Sequence, residues 1–255
     1  GPRKPAWGSF VANRVDALRR LGHEVEVLAV SDSPSPLARY GGLLEQVVRR
    51  RGGPPGDVVE AHIAYPTGLF AQGLARRLGA PLVLFAHGSD VLRAPGRSRL
   101  DAELCRRVFG RAALVVANTA YLAAEVESRL GVEPSRIAVC SPGIRYTDFA
   151  GARHRSGGRP YPLLFVGNLI HRKAVDVLLD ALAAMPAAAR PALRVVGDGP
   201  ERTDLEARAE AAGLDVAFVG ARTQEEVAGE MASARVLAVR DLDALEDHGV
   251  ALRGA

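Results

Sequence analysis

Much of what marks the commoner chemistries is missing from this chain. Its 255 residues include only two cysteines, Cys105 and Cys140, with no metal or redox spacing. Neither a disulfide framework nor a thiolate metal site is expected, and a reducing cytoplasm is the default location. Both thiols read as small buried hydrophobes. Aromatic residues are scarce at 5%, and no basic run is interleaved with them, which argues against a nucleic-acid partner. No apolar run approaches the roughly 18 residues that span a bilayer, and the opening residues do not read as a signal peptide. A G-x-G-x-x-G fingerprint after a strand is lacking, which disfavours a dinucleotide cofactor. A Walker loop, a G-x-S-x-G elbow and zinc-ligand spacing are lacking too. Lysine is the scarcest charged residue: 31 arginines stand against Lys4 and Lys173 alone.

What is present is an ordinary globular composition, 48% hydrophobic and 24% charged, on a chain long enough for one large domain or two smaller ones. Charge is uneven. The first 150 residues hold 20 arginines and lysines against 14 carboxylates, and the remainder 13 against 15. A basic first half suits a phosphorylated substrate or an anionic membrane face.

Hydrophobic patterning alternates between short strands and amphipathic helices. Strands are predicted at 25–30, 57–62, 81–86, 113–117 and 136–140. Helices fall between them, with Thr119 as an N-cap and Gly22, Gly79, Gly110 and Gly131 as stops. The stretch 141–160 breaks the rhythm with Pro142-Gly143 and the run Gly151 to Gly158. Alternation then restarts, with strands at 163–166, 192–196, 216–219 and 236–239. Such alternation predicts parallel sheets covered by helices. We expect an N-terminal Rossmann-like domain over 1–145, a linker over 146–160 and a second Rossmann-like domain over 161–255. No strand precedes the Gly1–Ser9 loop, and the tail from Arg240 has little core character. Further chain is therefore expected before residue 1 and after about residue 239.

Ligands of open parallel sheets bind beyond the carboxyl ends of the strands. The candidates there are the loop with Trp7 and Gly8, His62 with Tyr65, the run His87-Gly88-Ser89-Asp90, and Val196-Gly197-Asp198-Gly199-Pro200. The strongest is Leu163-Leu164-Phe165-Val166-Gly167-Asn168-Leu169-Ile170-His171-Arg172-Lys173. A buried strand, a turn and a helix start with two cations make a place for an anion. In a chain so poor in lysine, Lys173 suggests a need for a compact ammonium.

These residues resemble the family 4 glycosyltransferases. The likeness runs through Pro5-Ala6-Trp7-Gly8-Ser9-Phe10-Val11, Leu21-Gly22-His23-Glu24-Val25, Ala86-His87-Gly88-Ser89-Asp90, Phe165-Val166-Gly167-Asn168-Leu169 with Arg172-Lys173, Val196-Gly197-Asp198-Gly199-Pro200 and Phe218-Val219-Gly220. It implies an α/β GT-B fold, two Rossmann-like doubly wound parallel-sheet domains facing a cleft. It further implies a retaining, metal-independent transfer of a sugar from an NDP-sugar such as a UDP or GDP sugar. The acceptor would be a hydroxyl of a small molecule, saccharide or lipid. No cofactor is implied, since the nucleotide-sugar is itself a substrate. By the same resemblance His87 and Lys173 are catalytic. Gly8, Asp90, Gly167, Asn168, Arg172, Lys173, Gly197 and Gly199 bind the donor, and Trp7, His62 and Tyr65 the acceptor. The implied setting is cytoplasmic, with possible peripheral contact at the inner membrane face. Three departures stand out. Asn168 replaces a frequent arginine, Ala174 a usual glycine, and no E-x7-E pair follows residue 151. The alternatives are a non-catalytic nucleotide-sugar binder and a sugar-nucleotide epimerase.

Overall fold

The computed structural model describes residues 8–30, 33, 35–50, 56–143, 146–150 and 161–239. Those within 10–144 pack as one compact unit and those within 145–255 as a second. The tail from Arg240, Trp7 and most of the expected linker lie outside the described residues.

In the first unit, helices α1 (Ser9–Arg20) and α2 (Pro36–Arg50) precede the strand β1 (Val59–His62). Then follow α3 (Ala64–Leu78), β2 (Leu82–Ala86), the single-turn α4 (Ser89–Leu92), α5 (Arg99–Gly110), β3 (Leu114–Ala117), α6 (Ala120–Leu130) and β4 (Ile137–Val139). The sheet is parallel in the order β1-β2-β3-β4. Right-handed crossovers that always step the same way put α3, α5 and α6 on one face. There they bury Leu84, Val91, Val108, Phe109, Val115 and Val126. At about 25 cal/mol per Å² of apolar surface, a side chain such as Phe109 contributes roughly 2–3 kcal/mol. Helix α6 begins and ends as its sequence suggests. The Thr119 hydroxyl accepts the Leu122 N–H, and Gly131 closes the helix at φ 67°.

The segment 25–30, expected as a strand, is irregular. Extended chain needs a ladder partner, and a side chain serves instead. The Gln46 amide on α2 accepts from the Ala29 N–H at 3.1 Å and donates to its carbonyl at 2.9 Å. Leu28 and Val30 still pack on the core. Helix α2 was not expected, although Tyr40, Leu43 and Val47 recur at helical spacing, and the last two are buried.

The second unit opens with a short helix α7 (Tyr146–Ala150) where linker was expected, and α7 packs on a later helix. Next come β5 (Tyr161–Val166), α8 (Val175–Ala184), β6 (Leu193–Val196), α9 (Arg202–Ala211), β7 (Val216–Gly220), α10 (Gln224–Ser233) and β8 (Ala234–Ala238). Strand order is β7-β6-β5-β8, all parallel. The chain steps outward from β5 to β6 and β7, then returns to the far side of β5. That reversal makes the carboxyl end of β5 a topological switch point, the usual crevice for ligands of such sheets.

Candidate active site

The turn after β5 is built against the turn after β6. Gly167 N–H donates to Val196 O and Leu169 N–H to Asp198 O, both at 3.0 Å, while Glu201 N–H reaches Leu169 O at 3.2 Å. A Cβ at Gly197 would lie 1.8 Å from Gly167 O, and one at Gly199 would lie 2.2 Å from Leu169 O. The resemblance implies that these glycines bind the donor, which would need open space beside them. The room is instead filled by the neighbouring backbone, so what demands glycine is the seam between two loops.

Beyond Ile170 the chain makes a 3₁₀ turn, His171–Lys173, and then enters α8. Arg172 and Lys173 are half-buried in this turn, and Asn168 is exposed just before it. Helix α8 has no side-chain cap at its N-terminus. Its first N–H groups and its dipole therefore favour an anion where the two cations are placed. Ala174, between turn and helix, is buried at φ 48° and ψ 43°. This left-handed backbone is one that glycine adopts freely, in keeping with the glycine that the resemblance implies at this position. Alanine in this region costs about 1–2 kcal/mol. Ala174→Gly is expected to stabilise the second unit by about 0.5–1 kcal/mol net of the added freedom of the unfolded chain. Slower hydrogen exchange in β5 and α8 would register it, and faster exchange would contradict the strain.

In the first unit the candidates cluster at the carboxyl ends of β1 and β2. Alternation puts Glu60 and His62 on the sheet face opposite the α3–α5–α6 core, and α1 covers that face. His62 is in register with Phe85, and the two rings stack with centroids 4.4 Å apart. His62 Nδ1 and His87 Nε2 approach to 3.4 Å. Phe10 from α1 tilts over His87 at 4.5 Å. Beside them Arg14 grips Glu60 through two hydrogen bonds of 2.6 and 2.9 Å and lies over the Phe85 ring. Burial pushes the Glu60 carboxyl up, but the Arg14 fork and His62 more than offset it, leaving a pKa of about 2. Burial, aided by His62, holds His87 down at about 4. Near neutral pH His87 is therefore an uncharged ring, able to accept or donate one hydrogen bond.

Two expected ligand contacts prove to be internal. Asp90 is 1% exposed. Its Oδ2 accepts the Ala64 N–H at 2.7 Å and its Oδ1 the His87 N–H at 3.0 Å. Burial raises its pKa against these backbone bonds. Instead of facing a donor, this carboxylate ties the turn after β1 to the turn after β2. Tyr65, expected at the acceptor, is buried, and its hydroxyl donates to Asp101 Oδ1 at 2.6 Å. Burial, with Asp101 beside it, lifts the phenol to about 12.

His62 and His87 thus lie together in one unit, and Gly167, Asn168, Arg172 and Lys173 in the other. Gly8 is exposed at φ 76° ahead of α1. Phe10, Arg14, Glu60 and Phe85 were not singled out from the sequence. The alternation of Glu60 with His62 along one strand was the signal that could have found the carboxylate. Among the described residues no group of three or more His, Cys, Asp or Glu is placed to hold a metal. No helix among them is long and apolar enough to cross a membrane.

Comparison with known proteins agrees with this architecture. Residues 43–148 match the family model Glycosyltransferase Family 4, and residues 160–243 match Glycosyl transferases group 1. A D-inositol 3-phosphate glycosyltransferase of Geodermatophilus obscurus is 39% identical over 189 residues, covering 63% of this chain and 40% of its own. The 2-deoxystreptamine glucosyltransferase of Streptomyces kanamyceticus is 26% identical over 260 residues, covering 86% and 66%. The crystal structure of Anabaena HepE in complex with UDP and glucose shares the fold, with a TM-score of 0.63 at 20% identity over 89% of this chain and 63% of that one. The chain spans less than half the length of the first curated relatives it matches. With two parallel-sheet units, glycosyltransferase matches across most of its length and the GT-B fold of its structural neighbours, the chain belongs to the family 4 glycosyltransferases.

Proposed function

We propose that this chain supplies the donor and acceptor machinery of a retaining, metal-independent glycosyltransferase. It moves a sugar from an NDP-sugar to a hydroxyl of a small molecule, saccharide or lipid. The observation that carries this reading is the Arg172–Lys173 turn, set before an uncapped helix at the switch point of the second sheet. Charge builds on the diphosphate as the glycosidic bond breaks. Fixed cations and helix N–H groups stabilise that charge more than they stabilise the ground state. Gly167, Asn168 and the Gly8 N–H complete the phosphate environment in this reading. His87, uncharged, contacts the donor sugar, and His62 lies on the acceptor side. Residues 1–145 act as the acceptor domain and 161–255 as the donor domain. The HepE complex with UDP supports a uridine donor, and the relatives named for D-inositol 3-phosphate support a phosphorylated polyol acceptor. A cytoplasmic setting with peripheral membrane contact fits the basic first half.

Lys173→Ala tests this. Turnover of a UDP- or GDP-sugar is expected to fall roughly 100-fold or more, with donor binding by calorimetry weakened less. Unchanged turnover would remove Lys173 from the mechanism. Donor binding without turnover in the unaltered protein would mark it as a binder.

A further inference from the structure

The cluster at the carboxyl ends of β1 and β2 holds a carboxylate that the proposed reaction does not use. Glu60 lies on the same face of β1 as His62, and the His62 ring stands between it and His87. His62 Nε2 is 3.8 Å from Glu60 Oε2, and its Nδ1 is 3.4 Å from His87 Nε2. Both rings are already gripped without the help of their nitrogens. Phe85 stacks on His62 at 4.4 Å and Phe10 tilts over His87 at 4.5 Å. The His87 main chain is fixed by its N–H bond to Asp90 at 3.0 Å. What packing leaves unset is where each ring carries its proton.

Two neutral imidazoles that meet nitrogen to nitrogen need one proton between them. Either His62 Nδ1 or His87 Nε2 carries it, and Glu60 decides which. With a pKa of about 2 the carboxyl is ionised near neutral pH, so it can only accept. It therefore favours a proton on the His62 nitrogen that faces it. At 3.8 Å this is attraction between a charge and an N–H dipole, longer than a hydrogen bond. It acts between side chains only 16% and 24% exposed, where water screens it less than at the surface. Arg14 holds the carboxylate in place with bonds of 2.6 and 2.9 Å. An ionised carboxyl has about four lone-pair sites, and that fork uses two. Because Arg14 is the counter-ion, His62 need not be charged. With its proton on Nε2, His62 turns a bare Nδ1 toward His87. The shared proton then belongs to His87 Nε2, and His87 Nδ1 is left as the acceptor. We propose that Glu60, anchored by Arg14, is a positioning residue that fixes the tautomers of His62 and His87 and makes His87 Nδ1 an acceptor for a sugar hydroxyl. The role toward sugar rests on the reading of His87 as a donor-sugar contact. A carboxylate that sets the tautomer of a catalytic imidazole is a known device; here it acts through one further ring.

Long-range proton–nitrogen correlation spectra of the histidine rings, taken on the whole unaltered chain near neutral pH, test this directly. Both His62 and His87 are expected as the Nε2–H tautomer. A proton on Nδ1 of either ring, or an imidazolium at His62, would overturn the proposal whether or not any variant folds. In Glu60→Gln, with a native backbone spectrum, both rings are expected to move toward Nδ1–H. Unmoved tautomers there would overturn it as well. Turnover supplies the functional arm. The kcat of Glu60→Gln is expected to fall about tenfold, with KM for the nucleotide-sugar little changed. An unchanged kcat in a variant whose tautomers have moved would sever Glu60 from the chemistry and overturn its positioning role. No transfer by the unaltered protein would count against the reaction alone, because the spectra require no turnover.

Discussion

Gly197→Ala is expected to cost the second unit about 4 kcal/mol or more, at the extreme of single-methyl substitutions. The added Cβ would lie 1.8 Å from Gly167 O and 2.8 Å from Gly167 C, at a φ of 142° that alanine rarely adopts. Neither side can retreat. Gly197 N–H is held by Gly220 O at 2.9 Å, and Gly167 N–H by Val196 O at 3.0 Å. Relief requires breaking a ladder bond on one flank or the other, and each option leaves a buried backbone group unmet. Gly199→Ala meets Leu169 O at 2.2 Å and should behave alike. Hydrogen exchange of peptides covering β5 and β6 is the measurement. Loss of protection is expected, and native protection in either variant would show that the seam can open cheaply.

Asp90→Ala is expected to destabilise the first unit by about 3 kcal/mol or more. The change strands the N–H groups of Ala64 and His87, both now satisfied by one carboxylate that is 1% exposed. Asp90→Asn keeps the shape but turns a donor toward one of those N–H groups, so it should recover only part of the loss. Urea unfolding of the two variants would establish the order. A loss below about 1 kcal/mol for Asp90→Ala would mean that water replaces the carboxylate and that the clamp is incidental. Because the same carboxylate fixes both histidine turns, the 3.4 Å approach of His62 to His87 should loosen with it. The His87 pKa would then rise from about 4 toward the ordinary imidazole range.

The sequence made the parallel architecture legible because buried strands and amphipathic helices carry their periods openly. Thr119, Gly131 and the strand at Leu163–Val166 are cases where local pattern and final structure agree. The pattern failed where a partner decides the outcome. Residues 25–30 have strand-like composition, but Gln46 takes the role of a neighbouring strand at Ala29, and no local signal announces that. Helix α2 carries its signal in Leu43 and Val47, beside proline- and glycine-rich flanks that read as loop. At the candidate site, residue type was readable and environment was not. Asp90 looks the same in sequence whether it faces a ligand or two neighbouring turns. The glycines at 197 and 199 mark a close approach. What approaches them is the chain's own backbone, a fact available only once β5 and β6 lie side by side.

The seam between residues 167–169 and 197–199 also bears on any attempt to transplant this chemistry. The cationic turn hangs from Leu169, whose N–H and carbonyl are both fastened to the loop after β6. Grafting 163–173 alone into another scaffold would move the charges without the rail that aims them. The smallest portable module is the pair of strands with both loops, and homologous recombination that cuts between them would separate parts that function as one.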